Sequence, residues 1–335
     1  MPPPDTDPYA VALLKHFKRP TQPLSSSLNP NAAPFIPRKT ITTTDHIKWG
    51  KRTKESTSAG ISGIHFGHLK AHCKREELAE LDASLRSVAY TTGHTYSRYK
   101  KGIDVQLLKR SGDHRAHKLR TIRLIEGDCN ANHKAIGSDA MRSGERMGVL
   151  SPDNYGGRHG HMCCEVGMNK VLCFNSIWAR RGRLVYQSQD AKGCDDRIVH
   201  VVLKLALMFV KIPETAVDSM IETIQDMETH LRTAFGLSEK SYGGEVANFV
   251  AGLPQQGAMQ GNGAAPGGWT LVFRALVDAM KEAGCGYKQW SIIKQRAISI
   301  ICMAMVDDTD TLHDNPDPTV PTFQVIQEGE HVLHT

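Results

Sequence analysis

The feature that most constrains this chain is a run of apolar and small residues, 297–306 (AISIICMAMV), that ends abruptly at Asp307, Asp308, Thr309 and Asp310. A run with no polar face cannot lie on a surface. At ten residues it is best read as one strand buried on both sides. Carboxylates directly after such a strand are costly to bury unless they are paired, hydrogen-bonded or metal-bound. Aspartate is also a common turn residue, so taken alone Asp-Asp-Thr-Asp is a turn before it is a metal site. A second predicted strand, 184–188, runs into Asp190. Neighbouring strands lie about 4.8 Å apart. One aspartate ending a strand and a pair at its neighbour's turn can therefore converge on two divalent ions roughly 3.5–4 Å apart.

Around these two strand ends the pattern alternates between helix and strand. Residues 197–210 form a strongly apolar helix candidate. A second helix opens at Pro213 and Glu214, with Val217, Met220, Ile221, Ile224 and Met227 on one face. Residues 252–268 hold six glycines and read as a loop, followed by a helix over 269–283 that Gly284 stops. The irregular order of helices and strands predicts an α+β fold. Residues 1–45 are rich in proline and contain Ser25, Ser26 and Ser27, which predicts a flexible tail.

The apolar fraction of 40% is enough for a packed core, and the net charge of +6 permits a polyanionic partner without requiring one. The longest greasy stretch, 201–212, is interrupted by Lys204 and Lys211, so no membrane span is expected. Eight scattered cysteines without a CxxC pair suit reduced thiols. The expectation is a soluble, intracellular protein, nuclear or cytoplasmic. Between Arg98 and Arg123 nine Lys/Arg face only Asp104 and Asp113. Alone, such a run is an exposed basic loop, but it leads into 118–125, which alternates like a half-exposed strand.

Taken in order, these segments resemble a reverse transcriptase of the retrotransposon type without long terminal repeats. Residues 189–198 (QDAKGCDDRI), 260–266 (QGNGAAP) and 305–308 (MVDD) look like its three palm motifs. Residues 107–128 (LLKRSGDHRAHKLRTIRLIEGD), 62–70 (SGIHFGHLK) and 155–158 (YGGR) look like its fingers segments. The resemblance covers roughly residues 47–335. It implies a right-hand polymerase fold with a small antiparallel palm sheet: fingers over 46–185 and palm over 186–335. It implies Asp190, Asp307 and Asp308 as catalytic residues that ligate two Mg²⁺, or Mn²⁺, with the Ala191 carbonyl in reach. Gln260 and Gly261 would lie against the incoming sugar. Arg120, and more loosely Lys109, would grip the triphosphate, since a guanidinium can hold phosphate oxygens bidentately. The implied partners are an RNA or DNA template-primer and a dNTP; the oligomeric state is left open.

Two positions depart from the family. Asp195 stands where the family carries a bulky aromatic that rejects a 2′-hydroxyl, so weak discrimination against ribonucleotides is expected. Met305 replaces another aromatic and fills similar space. The sequence runs 27 residues beyond Asp308, so the thumb that follows the palm is expected to be missing. A catalytically inactive retroelement remnant that binds nucleic acid has the same motifs and remains the alternative. A third reading, a zinc site from His65, His68, His72 and Cys73 or from His159, His161, Cys163 and Cys164, lacks the paired short spacing of structural zinc.

Overall fold

The structure is a computed structural model and describes residues 35–113, 115, 118–191, 193–244, 255–291, 295–315, 319–321 and 323–327. Residues 1–34 of the expected tail lie outside the described residues. Residues 37–45 are packed: Pro37 and Ile41 are buried, and Arg38 reaches both oxygens of the Asp139 carboxylate at 2.7 and 2.9 Å.

The chain divides into two compact units, each drawing on chain from both sides of residue 186. One comprises Ala33–Ser143 and Asp195–Gly268. It begins with α1 (Thr43–Arg52), α2 (Phe66–His72) and α3 (Glu76–Thr92). The start of α1 is a capping box: Thr42 accepts from the Asp45 N–H while the Asp45 carboxylate accepts from the Thr42 N–H. Such a cap contributes on the order of 1 kcal/mol. Strands β1 (Lys101–Leu108) and β2 (Leu119–Leu124) follow, and most of α4 (Gly127–Met147) belongs here too.

The other unit takes in Gly144–Cys194 and Trp269–Thr335. It holds α5 (Cys163–Ala179) and β3 (Arg183–Asp190). The short α6 (Cys194–Arg197) returns the chain to the first unit. That unit continues with α7 (His200–Phe209), α8 (Glu214–Gln225), β4 (Glu228–Thr233) and β5 (Gly236–Gly243). Helix α9 (Ala265–Glu282) then leads into β6 (Tyr287–Ser291), β7 (Arg296–Ile300), β8 (Cys302–Met305) and β9 (Asp308–Asn315). The class is α+β.

In the first unit a four-stranded sheet has the order β2-β1-β4-β5, with β1 and β4 parallel and the other pairs antiparallel. The α8 face read from the sequence is buried: Val217, Met220, Ile221 and Ile224 are all within the core, beside Tyr90 and Ala89 of α3. In the second unit β3, β9 and β8 form a small antiparallel sheet, and β6 and β7 form a separate ribbon.

The single strand expected over 297–306 is two strands. Residues 296–300 pair with β6, and after Ile301 residues 302–305 pair with β9. The expected burial holds only for the second half: Ala297 and Ile298 are exposed, whereas from Ile301 to Ala304 the residues are buried and alternate ones enter different cores. Cys302 and Ala304 pack with Phe273, Val277 and Met280 of α9, whereas Met303 packs with Val166, Cys173 and Ile177 of α5. The sheet is thus covered on both faces. Helix α9 begins at Ala265, four residues before the expected start. Gly267 and Gly268 lie inside the helix at close contacts: a Cβ on Gly267 would lie 3.1 Å from the Gly137 carbonyl oxygen, and one on Gly268 2.5 Å from Leu203 Cδ1. Among the described residues no helix is long and apolar enough to cross a membrane.

Candidate functional site

The β3–β9–β8 sheet brings three of the predicted site residues to one end. Asp190, the last residue of β3, stands opposite Asp308, the first of β9. Asp308 pairs with Met305 across the β8–β9 hairpin, leaving Val306 and Asp307 as a two-residue loop. The Ala191 N–H donates to the Asp307 carbonyl at 3.2 Å, and the Ala191 carbonyl accepts from the Cys194 N–H at 3.1 Å. Asp307 is half-buried and Asp308 exposed, so both stay hydrated at little cost. Asp190 is described by its backbone; its carboxylate lies outside the described groups.

The hairpin loop is held from outside. Val306 has φ +62°, a conformation that hairpin loops usually give to glycine. Its carbonyl accepts from the Trp269 indole N–H at 2.6 Å. Gly156 presses on it so closely that a Cβ there would sit 2.3 Å from the Val306 nitrogen. The segment 153–156 runs beside β8: the Tyr155 N–H donates to the Ala304 carbonyl and the Ala304 N–H to the Asp153 carbonyl, each at 2.8 Å. Arg158 secures this segment through Glu145 and the carbonyls of Ser151 and Asn154. The Tyr155–Arg158 motif, read from the sequence as a fingers segment, therefore buttresses the aspartate turn within its own unit.

The fourth carboxylate of the cluster has another role. Burial alone would raise the Asp310 pKa, but hydrogen bonds from Lys170, Tyr186 and Ser188 outweigh it and hold the carboxyl below its usual range. Asp310 is thereby used up in anchoring α5 to the sheet.

In the other unit the Gln260–Gly261 turn is built against β2. The Arg123 N–H donates to the Gln260 carbonyl at 3.1 Å. Gly261 has φ +109°, and a Cβ would lie 2.7 Å from the Arg123 carbonyl, so no other residue fits. Asn130 of α4 clamps the turn, donating to the Gly261 carbonyl at 3.1 Å and accepting from the Gly263 N–H at 2.8 Å. Asp195 is joined to the same segment, its carbonyl accepting from the Ala258 N–H. Gln260 lines a cavity of about 430 Å³ together with Asp104, Thr121, Arg123, Asp196 and Tyr242.

Arg123, which the sequence reading passed over, is the basic residue of this cavity. Its guanidinium grips buried Asp104 at 2.7 and 2.8 Å and donates to Gln255 at 2.8 Å. Side chains alternate along β2, so Thr121 and Arg123 share the cavity face and Arg120 stands on the other. Arg120 and Lys109 are exposed and form no ion pair among the described residues. The signal for Arg123 was its period of two from Thr121, outweighed by the nearer motif match at Arg120.

Asp307 and Asp308, with Asp190 in register, offer oxygen donors only. That suits a hard divalent ion such as Mg²⁺, which keeps several of its waters. Among the described residues no group of three or more His, Cys, Asp or Glu could hold a metal ion. Of the histidines weighed for zinc, His65 caps α2, His72 faces Asp82 at 2.9 Å, and His161 faces Glu165 at 2.9 Å. Comparison with models of known protein families returns no match, and no curated protein matches the chain.

Proposed function

We propose that this chain is a reverse transcriptase-like nucleotidyl transferase that copies an RNA or DNA template with dNTPs. The observation that carries this reading is the register of Asp190 opposite Asp308, with Asp307 in the adjoining loop. It accords with the motif order read from the sequence. Bound Mg²⁺ or Mn²⁺ would lower the pKa of the attacking 3′-hydroxyl and stabilise the leaving pyrophosphate. Asp307 and Asp308, with Asp190, would hold the ions. The strained loop fixes the backbone that carries the two hairpin aspartates before substrate arrives, so less ordering is left to the reaction. In the other unit, Gln260 and Gly261 offer an amide and bare backbone to a sugar, and Arg120 and Lys109 are exposed cations without an ion pair among the described residues.

Asp195 supports a second reading, the inactive remnant. It brings a negative charge where the family has an apolar ring, which opposes a triphosphate. Primer extension by the chain on a primed RNA template, with Mg²⁺ or Mn²⁺, separates the two. Extension that disappears in the Asp307→Asn, Asp308→Asn variant is expected, with ribonucleotides incorporated nearly as well as deoxynucleotides. Primer binding without extension under either ion would assign the chain to the remnant reading.

A further inference from the structure

We propose that a groove between α1 and α4 is an anion site that takes a phosphate group. The phosphate would be a phosphodiester of a nucleic-acid strand or free phosphate. The inference stands whether or not the chain polymerises.

Two helix faces form the walls. Asp45, Lys48, Trp49 and Arg52 recur at the three- and four-residue spacing of one face of α1, and Ala131, Lys134, Ala135, Ser138 and Arg142 do the same on α4. The small residues of α4 leave room, and the space between is a cavity of about 270 Å³ that Arg38 and Arg86 also line. Six cationic side chains therefore face one carboxylate. Arg38 is neutralised, held by Asp139 and lying 3.2 Å from Asp45. The remaining five, Lys48, Arg52, Arg86, Lys134 and Arg142, form no ion pair among the described residues.

Arg86 is the telling member. It is 2% exposed, and its contacts are the Asn132 side-chain Oδ1 at 2.9 Å, His46 Nδ1 at 3.1 Å, and the Trp49 ring at 5.3 Å. Among the described residues no carboxylate forms an ion pair with it: Asp128 and Asp45 act on it only through space, and Asp82 is linked to it through His46. Burial pushes the Arg86 guanidinium down to about 10, so it remains charged at neutral pH without a counter-ion in contact. Buried cations are ordinarily paired, and five like charges around one cavity repel each other. An anion in the cavity removes both costs.

The cavity is smaller than the roughly 300 Å³ at which pockets for drug-sized ligands begin. A phosphate group fits that limit and satisfies several donors at once, as guanidinium–phosphate pairing requires.

The test compares the full chain, a Lys48→Ala, Arg52→Ala variant, and a control that loses two exposed lysines elsewhere, Lys281→Ala with Lys288→Ala. Arg86→Met is a fourth protein, kept if its circular dichroism matches the parent. Two readouts are taken: thermal midpoint with inorganic phosphate at constant ionic strength, and affinity for a labelled single-stranded oligonucleotide against salt. The expected result is at least a tenfold loss of oligonucleotide affinity in the groove variant. Its salt slope should fall by about 0.7 for each lost contact, and the control should stay near the parent. A phosphate-induced rise in midpoint that the groove variant lacks identifies free phosphate as a sufficient ligand. Loss confined to the oligonucleotide identifies a strand. Groove and control variants behaving alike in both readouts overturns the proposal.

Discussion

At Val306 the backbone holds φ +62°. For a β-branched residue the left-handed region costs about 1–2 kcal/mol or more. The hydrogen bond from Trp269 and the close approach of Gly156 maintain it, and the loop they hold presents Asp307. Val306→Gly is expected to raise unfolding stability by about 1 kcal/mol, because glycine takes this φ without strain. On the proposed reading the same change lowers extension, since the carboxylate is then less firmly oriented. Equilibrium denaturation and primer extension measured together check this, and a variant less stable than the parent would show that Val306 is not strained. Little of this was legible in the sequence. Valine before Asp-Asp gives no hint of a positive φ, because the conformation is imposed by residues 37 and 150 positions away.

On the scale of elements, the sequence reported burial better than pairing. The periodic face of α8 and its start after Pro213 were readable because a 3.6-residue repeat and a proline act locally. The break of 297–306 at Ile301 was not, nor was the exposure of Ala297 and Ile298, because an apolar run does not say which of its residues find partners. Strands β1, β4 and β5 were missed for other reasons: β4 and β5 are largely polar, and β1 pairs with β4 across a long stretch of chain. Asp153 exposes a consequence of such packing. It accepts from the Ile301 N–H at 3.1 Å at the point where β7 gives way to β8, and burial pushes its pKa up to about 6. A folded pKa above the unfolded value near 3.8 means that the folded state binds the proton more tightly. This carboxyl therefore costs nothing below pH 4, and its cost grows as pH rises through 6 to a plateau of up to roughly 3 kcal/mol. Asp153→Asn keeps an acceptor for Ile301 and loses the charge. It is expected to stabilise the protein by 1–3 kcal/mol, on that same scale, at pH 8 and by almost nothing near pH 4. Denaturant midpoints at the two pH values are the measurement, and a pH-independent difference would contradict the assignment.

For the whole molecule, the division into units separates two kinds of charge. The unit with the β3–β9–β8 sheet carries the strand-end aspartates, and the other carries the basic β1–β2 hairpin, the Gln260 turn and the α1–α4 groove. If the proposed function holds, chemistry and phosphate binding should fail independently when each unit is altered. Asp307→Asn removes an oxygen donor and a negative charge. Extension should fall at least a hundredfold, the scale on which removing one electrostatic stabiliser acts, while oligonucleotide affinity is unchanged or slightly stronger. Arg120→Ala with Lys109→Ala removes two exposed cations and no donor for the metal. Nucleotide KM should rise, kcat should change far less, and oligonucleotide binding should become less steep in salt. Steady-state kinetics and binding isotherms on the two variants give both halves of the comparison. A fall in kcat alone from the Arg120, Lys109 pair would remove these residues from triphosphate binding. Because Arg120 lies on the face of β2 away from Gln260, Arg123→Lys makes the decisive partner variant. It keeps a charge beside Asp104 but loses the forked grip, so a KM effect there and none at Arg120 would move the phosphate contact to the cavity side of the sheet.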